Sequence, residues 1–278
     1  MWDKYFLITG YLLTGWRKPI SIILLGMTSA TALSPWYFIP GIFSFSILAI
    51  LLHKCTNPIE TACTAWLFSF GYHLLGIHWL SNAFLIESDK FAFLIPITFL
   101  GLPAVLALFP ACLLSLFPLI STSIPKNTIA IASLWSLSDY IRGHLFTGFP
   151  WNLTSYAVSF SESLSQVASV FGAYGLNFLI IFVAVGPSVL LVKRCFWTKH
   201  SISILILCFL IPFVTWFSGM VRLLEANVTT NSNVLIRIVQ ANISQKDKWR
   251  PELKFKNISE YLKLSNLPIK INYPTPSK

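Results

Sequence analysis

Seven mostly apolar runs succeed one another along the first 220 residues, at about 20–34, 36–53, 61–80, 93–120, 128–146, 174–192 and 201–220. A helix that crosses a bilayer needs about 20 such residues, and lipid offers no partner to an exposed backbone N–H. The pattern therefore restricts this part of the chain to a bundle of membrane helices. Only 11% of the 278 residues are charged and mean hydropathy is +0.69, whereas a soluble domain carries roughly 25% charged residues. A soluble enzyme and a one-pass anchor are both excluded. The first 18 residues mix Asp3, Lys4, Arg17 and Lys18 with aromatic residues, which does not read as a cleavable signal peptide.

The fourth run contains Pro96, Pro103, Pro110 and Pro118. Each removes a backbone donor, so a tilted, kinked or divided helix is expected. Little more than Ser34-Pro35 separates the first and second runs, which reads as a tight helical hairpin. With the N-terminus inside, the short inner segments hold Lys4, Arg17, Lys18, Lys54, Lys126, Lys193, Arg194 and Lys199, and the outer loops hold Lys90. The positive-inside rule then sets a cytoplasmic N-terminus and, after seven spans, an external tail. The net charge of +10 reports topology; nucleic acid is not implied.

The organisation expected is a membrane domain over 1–220 and a different, water-exposed object over 221–278. The tail holds ten Lys/Arg against four acids. Its run 234–239, Val-Leu-Ile-Arg-Ile-Val, suits a strand buried on both faces of a sheet. Pro251 and an apolar face of Leu253, Phe255, Ile258, Tyr261 and Leu262 predict a helix to about Leu264, and 269–273 a second strand. One β-α-β piece cannot bury enough surface to stand alone, so the domain reads as cut off, with exposed strand edges prone to aggregation or proteolysis.

Few residues carry candidate chemistry. The loop Thr147-Gly-Phe-Pro-Trp-Asn152 reads either as an interfacial turn or as a lipid-facing platform. Asp139 and Arg142, three apart, share a helix face and form either an internal ion pair or a headgroup site. His73 and His78 are five apart, so a helix turns them away from each other and from a common metal site; packing roles are expected. Cys195, beside Lys193 and Arg194, has no nearby His or carboxylate to act as base. With the other four cysteines, Cys55, Cys63, Cys112 and Cys208, it forms no metal or disulfide pattern.

Three signatures occur in order: Asp-Tyr-Ile-Arg-Gly-His-Leu-Phe-Thr-Gly-Phe-Pro-Trp at 139–151, Gly-Ala-Tyr-Gly at 172–175, and Arg-Ile-Val-Gln-Ala-Asn-Ile-Ser-Gln-Lys-Asp-Lys-Trp at 237–249. Over nearly its whole length the chain resembles the apolipoprotein N-acyltransferases, which complete lipoprotein maturation in the bacterial inner membrane. The resemblance implies a polytopic membrane protein of about seven helices followed by the first part of a nitrilase-like αββα domain in the periplasm. It implies a phospholipid acyl donor and an apolipoprotein diacylglyceryl-cysteine acceptor, with no cofactor and no metal. A cysteine thiolate takes the acyl chain as a thioester and passes it to the free amine, aided by a glutamate base and an oxyanion-stabilising lysine.

The family's glutamate lies in a Trp-Pro-Glu motif, where this chain has Tyr273-Pro274-Thr275, and residues 221–278 contain no cysteine. Thr275 cannot act as the base, so the resemblance implies a chain truncated before the catalytic triad and inactive alone, or a split enzyme completed by a separate chain. Trp249 matches a tryptophan near the family's active site. With Phe149, Trp151 and Arg142 it completes the set of expected substrate-binding or site-adjacent residues. A non-enzymatic reading, as a lipid-binding, scaffolding or transport module, is distinguished by substrate flux without acyl transfer.

Overall fold

The computed structural model describes residues 15–121, 123–191, 198–226 and 236–268. All seven apolar runs are helical: α1 is Arg17–Ala30, α2 is Ser44–Lys54 and α3 is Pro58–Gly76. Then come the interrupted run α4 (Ser88–Ile120), α5 (Ile124–His144), α6 (Ala168–Val185) and α7 (Lys199–Glu225). Among the described residues, three segments are long and apolar enough to cross a membrane, Ser88–Ile120, Ala168–Leu191 and Lys199–Glu225, and Ile39–Lys54 is a shorter apolar helix. The other runs fall short of the expected spans for two reasons. The α1 helix has only 14 residues, and α3 and α5 carry the polar groups, among them Glu60, His73, Asp139 and Arg142, on which the structure turns.

The four prolines act on α4 as expected. The run breaks into Ser88–Phe91, a π turn at Ile97–Gly101, Leu102–Leu106, Leu108–Leu114 and Phe117–Ile120. The hairpin after α1 is looser than two residues. Helix α1 ends at Ala30, and a 3-10 turn, Ile39–Phe43, leads into α2.

The described residues group into two compact units. One falls within Met1–Ser81 and Phe93–Ala226, the other within Asn82–Ala92 and Asn227–Lys278. In the first unit, α1 and α3 meet through glycine. A β-carbon placed on Gly26 would strike the Phe68 carbonyl oxygen, and one on Gly71 the Ile23 carbonyl oxygen. Without a hydrophobic drive between helices in lipid, such backbone approach lets van der Waals packing hold them. Beside it, Phe45 of α2, Phe68 and Tyr72 of α3 and Trp135 of α5 are fully enclosed. Phe45 and Trp135 meet edge to face at 4.7 Å between ring centroids, and Phe45 and Phe68 at 5.0 Å, the arrangement aromatic quadrupoles favour.

Helix α3 starts where its sequence says it should. Asn57 accepts from the Glu60 N–H at 2.9 Å, Glu60 reaches back to the Thr56 N–H at 3.2 Å, and Pro58 occupies the first turn. Asn57→Ala is expected to cost about 1 kcal/mol of stability, read from thermal unfolding in detergent.

In the second unit no strand forms among the described residues. The strand expected over 234–239 lies outside the described residues at 234–235. From Ile236 onward the chain is irregular, with Ile236 83% and Ile238 92% exposed. A strand is defined by its partner, and the partner expected at 269–273 lies outside the described residues, as does Thr275. The expected helix is present as a 3-10 turn, Pro251–Leu253, continued by α8 (Lys254–Ser265). Its Phe255, Ile258 and Leu262 remain exposed.

Candidate functional site

Arg142 and Asp139 sit one helical turn apart near the end of α5, with side chains 0% and 1% exposed. Arg142 Nη2 and Nε donate to Asp139 Oδ1 at 2.8 and 3.3 Å. Asn177 of α6 donates to the other carboxylate oxygen at 2.9 Å, and its Oδ1 accepts the Ser155 N–H at 2.9 Å. The internal-pair reading of Asp139 and Arg142 is therefore the one the fold adopts. The guanidinium faces inward and is fully buried.

Its remaining donors explain the shape of the loop. Nη1 donates to the carbonyl oxygens of Phe149 (2.8 Å) and Trp151 (2.7 Å), while the Phe149 N–H returns a hydrogen bond to the Arg142 carbonyl at 2.9 Å. The Tyr156 hydroxyl donates to the Pro150 carbonyl at 3.3 Å and the Tyr72 hydroxyl to the Asn152 carbonyl at 3.1 Å. Four consecutive carbonyls, Phe149 to Asn152, are thus each held by a side chain. Gly148, with φ +77°, supplies the left-handed turn that starts this stretch, and a β-carbon there would meet the Gly143 carbonyl.

Held this way, the loop turns aromatic surface outward. Trp151 is about half exposed, packing at 5.7 Å between centroids on Trp79 and at 5.5 Å on the half-buried Phe149. Phe146 is 90% exposed. The second signature abuts the first. Gly172 (φ 68°, ψ 176°) bends α6, and Tyr174 lies so close over α5 that a β-carbon at Gly143 would strike its hydroxyl.

The two histidines part company because α3 ends at Gly76, so that His78 opens a 3-10 segment instead of continuing the helix that carries His73. His73 is buried, its Nδ1 2.9 Å from the Ser69 carbonyl, and His78 stacks on Trp36 at 5.9 Å. No group of metal-binding side chains is found among the described residues. Cys195 lies outside them.

Trp249 belongs to the second unit. It is 78% exposed and has Lys248 Nζ 5.7 Å from its ring centroid. It lines a polar cleft of about 900 Å³ with Glu87, Lys90, Lys246, Arg250 and Glu252 among its walls.

So Phe149, Trp151 and Arg142 come together, the first two as surface and the third as their support. Sequence reasoning passed over Tyr72, Tyr156 and Asn177. The signal for Asn177 was available, since it is an amide inside the apolar run Gly175-Leu-Asn-Phe-Leu-Ile180. A buried amide needs partners.

The family model described as the apolipoprotein N-acyltransferase N-terminal domain matches residues 25–186. Similar curated proteins include the apolipoprotein N-acyltransferases of Rickettsia prowazekii (34% identical, covering 90% of this chain and 49% of the relative) and Rhodopseudomonas palustris (32%, 91% and 48%). That of Allorhizobium ampelinum is 31% identical over 95% of this chain and 51% of its own length. The chain spans about half the length of the curated relatives it matches.

Proposed function

Because the chain belongs to the apolipoprotein N-acyltransferase family, we propose that it supplies the membrane half of a phospholipid-dependent N-acyltransferase of the bacterial inner membrane. In this reading seven helices cross the bilayer with the N-terminus in the cytoplasm. The loop after α5 and residues 221–278 face the periplasm. The observation that carries the reading is the loop held at four successive carbonyls, which fixes exposed Trp151 and half-buried Phe149 just beyond the end of α5. Aromatic rings of this kind sit at headgroup depth, where a phospholipid donor and a diacylglyceryl-cysteine acceptor both present their reacting groups.

The acyl-transfer chemistry belongs to a nitrilase-like domain of which 221–278 is the opening part, with Trp249 beside the acceptor. Those residues contain no cysteine. The nucleophilic thiolate is therefore supplied by further sequence, in the same polypeptide or a separate chain.

The test is transfer from labelled phospholipid to a diacylglyceryl-cysteine peptide in bilayers holding the 278-residue chain, alone and with source-cell lysate. Silence alone and activity with lysate, lost when this chain is omitted, is the expected result. Transfer by the chain alone would overturn the placement of the nucleophile, and silence in both arms would overturn the working-half reading.

A further inference from the structure

Beneath the held loop, two buried polar atoms of opposite kind stand without a hydrogen-bond partner among the described residues, His73 Nε2 and Asn152 Nδ2. Their roles follow from chemistry and from the bonds beside them. His73 Nδ1 lies 2.9 Å from the Ser69 carbonyl oxygen, which can only accept, so in the neutral ring Nδ1 carries the proton and Nε2 is a bare acceptor. The Asn152 amide nitrogen can only donate.

Both atoms belong to one turn of α3. His73 and Gly76 are three apart and share a face of the helix, and a β-carbon at Gly76 would strike the Asn152 amide. The same turn is tied to the loop by Tyr72, whose hydroxyl donates to the Asn152 carbonyl at 3.1 Å and whose ring centroid lies 5.3 Å from that of His73. An acceptor and a donor are brought to one place, and they do not bond to each other. Buried polar groups are satisfied by protein or by ordered water. The bridge required here must donate to Nε2 and accept from Nδ2. Hydrocarbon does neither and an ammonium group cannot accept, whereas water does both and is the smallest molecule that can.

We infer that an ordered water molecule binds between His73 and Asn152, enclosed by the protein on a site where His73 is 0% and Asn152 7% exposed. It fastens the loop to α3 through the Asn152 side chain and adds to the four carbonyl holds a tie that depends on one histidine nitrogen. The site is independent of acyl transfer and of where the nucleophile lies.

The experiment exposes the full chain in nanodiscs to a brief X-ray pulse just after mixing into oxygen-18 water, and maps oxidised residues by mass spectrometry. Water bound inside a protein yields hydroxyl radical on the spot. Corrected for intrinsic reactivity, Tyr72 and His73 are expected to be oxidised at least about tenfold faster than Phe68, which is equally enclosed one turn earlier on α3. Their oxygen-18 content should lag behind that of the half-exposed Trp79. Oxidation no faster than at Phe68 would overturn the inference, and so would oxygen-18 content equal to that of Trp79, the mark of a site open to bulk water. His73→Phe keeps a ring and removes Nε2, and is expected to lower Tyr72 oxidation about fivefold or more. A folded variant labelled like the parent rules the site out, and if the variant does not fold the comparison of Tyr72 with Phe68 in the parent decides.

Discussion

Arg142→Met is expected to destabilise the protein by about 3–5 kcal/mol, the cost of leaving a buried charge without its partner. Asp139 would lose the guanidinium and keep the Asn177 amide, and the carbonyls of Phe149 and Trp151 would lose their donor. Arg142→Lys is expected to recover little. One ammonium cannot serve a carboxylate and two separate carbonyls as a planar fork does. Removing both charges with Asp139→Leu and Arg142→Met should cost less than Arg142→Met alone, because no orphaned charge remains buried. Thermal unfolding in detergent measures all three, and limited proteolysis at 145–152 reports the loosened loop. A loss below about 1 kcal/mol for Arg142→Met would mean that the pair is dispensable.

The second large effect is expected at the α1–α3 contact. Gly71→Val should cost at least the 1–3 kcal/mol typical of overpacking, because the added atoms meet the Ile23 backbone carbonyl, which cannot rotate away as a side chain can. Gly26→Val should behave alike against Phe68. Combined, they should cost less than their sum, since once one substitution has parted the helices the other finds room. Gly101→Ala is the control. The nearest atom to a β-carbon there is the Ile97 side chain at 3.7 Å, ordinary contact, so little change is expected. Full additivity of the two valine substitutions would show that the glycines do not share one interface.

How much of this was legible in the sequence differs from element to element. The helical runs, the breaks in α4 and the start of α3 follow from local rules, namely apolar content, prolines, and an Asn three residues before a Glu. The Asp139–Arg142 pair was readable for the same reason, since i and i+3 share a face. Its third member, Asn177, lies 38 residues away. Only the packing of α6 on α5 decides that this amide, and not another, faces the carboxylate. Likewise Tyr72 reaches the Asn152 carbonyl across 80 residues of sequence. The strand expected at 234–239 shows the opposite limit. β-branched residues fit a pleated surface, but a strand exists only when a neighbour pairs with it. The seven expected spans were less legible: among the described residues three segments meet the length and apolarity of a crossing, and α3 and α5, which carry the polar residues that build the site, are not among them.

The support beneath the loop works mainly on main chain. Arg142, Tyr72 and Tyr156 bind the carbonyls of residues 149–152, groups that every amino acid possesses. The two aromatic side chains differ in how far they share in that mount: the Arg142 guanidinium also stands 5.9 Å from the Phe149 ring centroid, whereas Trp151 packs on Trp79 and Phe149. Exchange of Trp151 therefore alters the displayed surface and spares the hydrogen bonds that hold it, while exchange of Phe149 also removes a cation–π contact from the arginine beneath.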